Sequence, residues 1–133
     1  MRTTAMRFMM LVIPAVYQNR SLKPDFVPPA ELVEKMGKFN DSLSKAGVLL
    51  SLDGLTPPSK AARVSFSGGK PQVTDGPFSE TKEIVGGYWI IQVKSRDEAV
   101  EWAKRAPMVD GDIIEVREIP EMEDFLADVK AAS

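Results

Sequence analysis

The clearest strand signal in this 133-residue chain lies in the stretch Ile84-Val85-Gly86-Gly87-Tyr88-Trp89-Ile90-Ile91-Gln92-Val93. Side chains alternate between the two faces of a strand, so Trp89, Ile91 and Val93 share one face. Tyr88, Ile90 and Gln92 share the other. Both faces carry apolar groups, which indicates a strand that is covered on both faces rather than a strand with one solvent-exposed face.

Outward from this strand, the chain alternates between strand and helix patterns. A helix begins with Pro29 and Glu31 in its first turn and ends at Ala46, before Gly47. Its apolar stripe is interpreted as core packing. A second helix begins at the capping box of Ser95 and Glu98. The remaining predicted strands are Phe8–Ile13, Val48–Leu52, Ala62–Ser67 and Ile113–Ile119, and a short terminal helix is predicted at Pro120–Val129.

The order of these elements predicts an α+β domain of the ferredoxin-like βαββαβ plan. Gly68-Gly69 is a hairpin signal, so the third strand is expected to form an inserted hairpin arm. One domain is predicted over residues 1–133, with residues 120–133 as a C-terminal helical extension. Two helices cover only one face of such a sheet. Because Phe8–Ile13 is apolar on both faces, we expect a homodimer that packs sheet against sheet.

Composition excludes several classes of protein and site. Lys and Arg number 17 against 19 Asp and Glu, which argues against direct nucleic-acid binding. No apolar run approaches the length of a membrane span, so no membrane association is expected. The chain has no Cys and no His, which removes thiolate chemistry and the commonest metal ligands. We expect a cytoplasmic protein with no cofactor and no metal site.

A charged segment precedes the clearest strand. It runs Thr74-Asp75-Gly76-Pro77-Phe78-Ser79-Glu80-Thr81-Lys82-Glu83. Asp75 in an Asp-Gly turn is interpreted either as a turn cap or as a catalytic or ligand-binding group. Glu80, Lys82 and Glu83 form either a solvated charge run or a functional cluster.

Several other residues are candidates for a ligand site. The hypothesis for catalysis is that Glu83 transfers a proton or orients a ligand, supported by Asp75 and Lys82. Glu115 and Arg117 share one face of the last strand, where the guanidinium group could clamp an anion or simply form an ion pair. The remaining candidate ligand contacts are Phe78, Glu80 and Tyr88. Gly86-Gly87 indicates close backbone approach or a bulge rather than a phosphate loop.

The chain resembles the YCII-related proteins, and their D-G-P-F subgroup in particular. The resemblance rests on Asp75-Gly76-Pro77-Phe78, Gly86-Gly87-Tyr88, Glu115-Val116-Arg117 and Glu98-Ala99 with Glu101-Trp102-Ala103. It implies a dimeric α+β barrel with a cleft beside the strands of each subunit. Better known relatives resemble enzymes with a His-Asp pair, which a chain without His cannot have. Some D-G-P-F proteins resemble chains encoded beside, or fused to, sigma factors, and this implies a regulatory link.

Two functions follow from these observations. The first is a small-molecule-binding module with a regulatory role, whose charged cleft is built around Asp75-Gly76-Pro77-Phe78 and the charges at 80, 82 and 83. The second is a cofactor-free enzyme that uses carboxylate acid-base chemistry on a small metabolite. A catalytic carboxylate should titrate above its ordinary pKa, whereas a carboxylate at the rim should not.

Overall fold

The computed structural model describes residues 5–18, 28–76 and 84–133. Its strands are β1 (Met6–Ile13), β2 (Leu49–Gly54), β3 (Ala62–Ser67), β4 (Lys70–Asp75), β5 (Gly87–Val93) and β6 (Ile113–Ile119). Its α-helices are α1 (Ala30–Lys45), α2 (Arg96–Lys104) and α3 (Met122–Ala132). Short 3₁₀ turns lie at Ala15–Gln18 and Pro58–Lys60.

The main sheet has four strands in the order β2-β5-β1-β6, and every neighbouring pair is antiparallel. If β3 and β4 are set aside as an insertion, this is the ferredoxin-like βαββαβ plan, and the α+β prediction is confirmed. The central strand β1 pairs with β5 on one side and β6 on the other. The first strand of the chain is therefore held between two strands from its second half.

One face of the main sheet carries the hydrophobic core. Apolar side chains of β1 and β5 pack there against α1 and α2. Phe39 of α1 meets Trp89 edge to face, with ring centroids 5.3 Å apart. The buried residues of this core are Phe8, Met10, Phe39, Leu43, Trp89, Ile91, Val93, Ala99 and Trp102. This set confirms the predicted alternation of β5 and the core role of the second half of α1.

Most predicted boundaries lie within two or three residues of the observed ones. The capping box at the start of α2 is confirmed, because the amide of Glu98 donates to Ser95 Oγ at 3.1 Å. Pro29, expected in the first turn of α1, is instead the residue that caps it. β1 starts at Met6, two residues before the predicted Phe8, because Met6 still pairs with Val93.

The second face of the main sheet bears no helix among the described residues, and we call it the open face. Its centre is apolar, and charged side chains follow along β6. Met9 pairs with Ile90, and Leu11 pairs with Tyr88, so these side chains shield one another. The open face consists of Arg7, Met9, Leu11, Ile13, Ser51, Asp53, Tyr88, Ile90, Gln92, Ile113, Glu115, Arg117 and Ile119. We expected β1 to be covered on both faces. Among the described residues, α1 and α2 cover one face of β1, and the open face has no covering element.

The strands β3 and β4 form a separate two-stranded sheet, which we call the arm. Gly68 and Gly69 occupy the turn with φ of 60° and 78°. Positive φ at both central positions is what a two-residue turn of type I′ requires, and it matches the twist of the flanking strands. The predicted hairpin arm is thus confirmed, with its returning strand extending from Lys70 to Asp75.

The terminal helix is α3, which covers Met122–Ala132 rather than the predicted Pro120–Val129. Arg7 of β1 lies near its start, with Nε 3.8 Å from an oxygen of Glu121. Within the described ranges, no helix has both the length and the apolar character needed to cross a membrane.

Candidate functional site

A cleft of about 810 Å³ opens between α1 and one end of the main sheet. The first half of α1 forms one wall. The ends of β1 and β2 and the start of β5 form the floor, and the segment after α2 closes the far side. This size falls within the range of small-molecule sites in proteins, roughly 300–1,000 Å³.

The wall of the cleft is mainly apolar. Leu32 and Met36 line it from α1, and Leu52 and Trp89 line it from the sheet. The apolar stripe of α1 therefore has two roles. Phe39 and Leu43 are buried in the core, whereas Leu32 and Met36 line the cleft. The other apolar lining residues are Val12, Pro14, Val16, Pro28, Pro29, Leu55, Pro57, Pro107, Met108 and Val109.

Asp112 is an acidic lining residue whose oxygens are both used by the fold. Oδ1 accepts from the amide of Ala15 at 2.8 Å, and Oδ2 accepts from the amide of Val109 at 2.9 Å. These bonds tie the segment after β1 to the segment before β6. Asp112 thus shapes the cleft by holding two of its backbone walls together.

The other two acidic lining residues also have partners. Glu31 lies 3.4 Å from the ammonium of Lys35 one helical turn further along α1. Asp53 accepts from the hydroxyl of Tyr88 at 3.3 Å across the β2–β5 pair. Besides these carboxylates, the lining of the cleft supplies hydrogen-bond donors.

Tyr17, Asn40 and Lys60 are among the lining residues that supply such donors. The Oδ1 atom of Asn40 accepts from Trp89 Nε1 at 2.7 Å, which leaves the amide nitrogen as the donor end of that side chain. The phenol of Tyr17 keeps its proton at neutral pH, where it can donate, and burial raises its pKa further above the ordinary value. Lys60 adds an ammonium group from the 3₁₀ turn at the base of the arm. The cleft thus combines an apolar wall with hydroxyl, amide and ammonium donors.

Two glycines bring backbone segments together at the floor of the cleft. A Cβ atom on Gly86 would lie 2.6 Å from Pro14 Cγ and 3.3 Å from Tyr17 Cε2. A Cβ atom on Gly87 would lie 3.0 Å from the carbonyl oxygen of Asp53. Gly86 is also held by its amide, which donates to Val12 at 2.8 Å. The predicted close backbone approach at Gly86-Gly87 is confirmed.

Comparison with known proteins places the chain in a family. The model of the YCII-related domain matches residues 6–123, which include every strand and both core helices. The chain belongs to the YCII-related family. An uncharacterized protein of Rhizobium meliloti (strain 1021) is 42% identical to it over 60 residues. That match covers 45% of this chain and 48% of the other protein, so the chain matches about half the length of this curated relative.

In this YCII-related chain, the charged segment that sequence analysis singled out is described only at its start. Asp75 is the last residue of β4, is exposed, and is not among the described residues that line the cleft. Gly76 follows it and donates its amide to Ala61 at 2.8 Å, which closes the base of the arm. The predicted roles of Phe78, Glu80, Lys82 and Glu83 fall on residues outside the described ranges, and they stay predictions.

The remaining predicted site residues lie on β5 and β6. Tyr88 is one of the residues that line the cleft, although the alternation of β5 places its side chain on the open face beside Asp53. Glu115 and Arg117 instead lie on the open face, where Arg117 Nε is 4.0 Å from Glu115 Oε2 and both side chains are more than half exposed. Such a pair is a weak surface ion pair. The structure therefore separates Glu115 and Arg117 from the cleft.

Sequence analysis missed the donors of the cleft. Asn40 had a detectable signal, because it lies one helical turn after Met36 and is a polar residue on an otherwise apolar face. Asp112 had a weaker signal in the Asp110-Gly111-Asp112 turn, where Gly111 has a φ of 91°. Tyr17 and Lys60 lie in irregular segments whose position relative to the sheet is not encoded in local periodicity.

Proposed function

We propose that the protein binds a small molecule with an apolar body and a carbonyl or carboxylate group in the cleft beside α1. The observation that carries this proposal is the pairing of an apolar wall with the donors of Tyr17, Asn40 and Lys60. A carbonyl or carboxylate oxygen accepts from all three kinds of group.

The first test is a binding measurement with defined aromatic probes. We expect 8-anilinonaphthalene-1-sulfonate to bind at one site per chain with increased fluorescence, since it combines an aromatic body with an anionic acceptor. Unlabelled 2-naphthoate should displace it, whereas 2-naphthylmethylamine, which has a similar body and a cationic group, should displace it at least tenfold less well. Equal displacement by the two compounds would contradict the donor-based recognition.

A matched pair of variants locates the site. Leu32 lines the cleft, and its neighbour Val33 is 58% exposed and does not line it. Leu32→Trp should fill the cleft and weaken probe binding at least tenfold, while Val33→Trp should leave binding unchanged. Circular dichroism and urea unfolding show whether each variant is folded. Unchanged binding in a folded Leu32→Trp protein would move the site elsewhere.

The natural ligand is sought by native mass spectrometry of the protein purified from its own host. A discrete extra mass that is lost in Leu32→Trp and kept in Val33→Trp would identify a molecule held in the cleft.

The regulatory role and the link to a sigma factor are part of the same proposal, and they rest on membership of the D-G-P-F subgroup indicated by Asp75-Gly76-Pro77-Phe78. The catalytic alternative depends on Glu83 and Lys82, and it stays a prediction.

The proposal includes a homodimer in which two open faces pack against each other. Met9, Leu11 and Ile90 give the open face an apolar centre, and a second copy buries it with the same residues by two-fold symmetry. Sedimentation at micromolar concentration should give twice the chain mass of 14.6 kDa. A protein that sediments as a monomer would contradict this part of the proposal.

A further inference from the structure

The arm has one apolar face that the described chain does not cover. In the register of the hairpin, Val64 pairs with Val73 and Phe66 pairs with Pro71, so these side chains share a face. Val64 is 55% exposed, Phe66 76% and Val73 69%. An isolated two-stranded hairpin is only marginally stable in water. The apolar face of the arm is therefore a surface that a packing partner would stabilise.

The helix α3 has a matching uncovered stripe. Met122, Phe125, Leu126 and Val129 recur at the spacing of one helix face, and each is at least 49% exposed. Among the described residues of α3, none is buried. A helix of 11 residues is too short to be stable by itself in water. Like the arm, α3 presents apolar groups that the described chain leaves exposed to solvent.

The two segments have opposite net charge. Residues 60–75 contain three basic residues and one acidic residue, and residues 121–132 contain one basic residue and four acidic residues. Opposite net charges favour the approach of the two segments to each other over the approach of either segment to its own copy. In the register of the hairpin, Arg63 and Lys70 lie on the face of the arm opposite to Val64 and Phe66, so these charges act at longer range and are not contacts of the apolar face. The basic residues of the first segment are Lys60, Arg63 and Lys70, and the acidic residues of the second are Glu121, Glu123, Asp124 and Asp128.

The arm and α3 leave the main sheet at diagonally opposite corners. The arm follows Gly54, which pairs with Gly87 on the outer strand β2. The helix α3 follows Ile119, which pairs with Arg7 on the other outer strand and at the other end of β1. Within one chain, the two departure points are therefore separated by the whole sheet.

A two-fold axis can bring these corners together between two chains. The required axis lies between two facing sheets and runs along the diagonal that joins the other two corners, at about 45° to the strands. Rotation about this axis exchanges the corner of the arm with the corner of α3, and the strands of the two sheets then cross at about 90°, which is one of the two common sheet packings. We propose that, in the homodimer, the arm of each protomer packs its apolar face on the α3 stripe of its partner.

This contact rests on the homodimer proposed above and extends it. It occurs twice by symmetry, and it commits the arm to a second copy of this chain rather than to an unrelated protein. Because Pro57 and Lys60 at the base of the arm also line the cleft, the contact would fix one wall of the ligand site from the partner side.

The test uses cysteine cross-linking, since the chain has no Cys of its own. Phe66→Cys and Leu126→Cys chains are mixed, allowed to exchange subunits and oxidised gently. We expect a covalent dimer that contains one chain of each variant. Each variant oxidised alone should give at least fivefold less covalent dimer, because two arms, or two α3 helices, lie at opposite corners of the assembly.

The matched control replaces Phe66→Cys with Ser65→Cys, which places the thiol on the opposite face of the arm. The mixed cross-link should then fall at least fivefold. A native dimer in which Phe66→Cys and Leu126→Cys do not cross-link, or in which the Ser65→Cys control cross-links equally well, would overturn the arm contact and leave the sheet-to-sheet dimer standing. A monomer would overturn both.

Discussion

The indole nitrogen of Trp89 donates a 2.7 Å hydrogen bond to Oδ1 of Asn40, which joins the middle of β5 to the middle of α1. Trp89 is 4% exposed, so water cannot replace this bond without a rearrangement. The same two residues line the cleft. One contact therefore sets both the position of α1 on the sheet and the orientation of the Asn40 amide.

Replacement of Asn40 tests this contact. Asn40→Leu leaves the indole N–H of Trp89 buried without an acceptor, and such a group costs about 1–3 kcal/mol. We expect the free energy of unfolding in urea to fall by that amount. The control is Asp41→Ala at the next position, which is exposed and should change stability by less than about 0.5 kcal/mol. Equal losses in both variants would show that the hydrogen bond is not the cause.

The close contact at Gly86 gives a second prediction. Gly86→Ala places a Cβ atom against the Pro14 ring and Tyr17, and overpacking of this kind costs about 1–3 kcal/mol. Probe binding should weaken as well, because Pro14 and Tyr17 line the cleft. The measurements are urea unfolding and titration with 8-anilinonaphthalene-1-sulfonate.

A second glycine provides the opposite expectation. Gly37 lies in the middle of α1, and a Cβ atom there would meet nothing within 4 Å. Gly37→Ala should raise the free energy of unfolding by about 0.5–1 kcal/mol, because Ala loses less backbone entropy in a helix. If Gly86→Ala were as stable as Gly37→Ala, the close contact of Gly86 with Pro14 and Tyr17 at the floor of the cleft would be contradicted.

The phenol of Tyr17 gives a prediction about pH. Burial raises the pKa of Tyr17 above its ordinary value, so the native state favours the protonated phenol. This contribution to stability is complete below the ordinary tyrosine pKa of about 10 and is lost as pH rises through the native pKa. Relative to Tyr17→Phe, the parent protein should lose stability as pH rises above about 10.

Ultraviolet titration of tyrosinate measures the pKa of Tyr17 as the transition that is lost in Tyr17→Phe. We expect the midpoint of that transition to lie above the ordinary tyrosine value, because burial raises the pKa of Tyr17. A midpoint at or below the ordinary value would contradict the burial of Tyr17 in the cleft wall.

The cap of α2 gives a prediction about local stability. Ser95 Oγ accepts from the amide of Glu98, and a carboxylate oxygen of Glu98 accepts from the amide of Lys94 at 2.8 Å. Ser95→Ala should lower the free energy of unfolding by about 0.5–2 kcal/mol. Ser44→Ala, an exposed position inside α1, is the control. A smaller loss for Ser95→Ala than for Ser44→Ala would rule out the capping role.

The sequence predicted the fold wherever the controlling physics is local. Alternation in Tyr88–Val93, the capping box of Ser95 and Glu98, and the turn of Gly68-Gly69 each involve residues within a few positions, and each is confirmed. The α+β plan followed from their order. Boundaries differed where pairing with a distant strand extended an element, as for Met6 against Val93.

The cleft was not predictable in the same way. Its donors come from positions 17, 40 and 60, and they meet only because α1, the sheet and the base of the arm pack together. Of the predicted ligand contacts that the structure describes, Tyr88 lines the cleft, although its side chain also belongs to the open face. Glu115 and Arg117 were chosen for their chemistry, yet the alternation of β6 places them on the open face, which a pattern of charges alone does not reveal.

The central position of β1 has a consequence for how the protein is made. Arg7 pairs with Ile119, so one edge of β1 stays unpaired until synthesis has passed Ile119. Contacts this distant along the chain slow folding, because a large loop must close before they contribute. During synthesis, the apolar strand β1 is therefore exposed before β6 is available to pair with it. Folding of this protein should depend on chaperones more than folding of a helical protein of the same length.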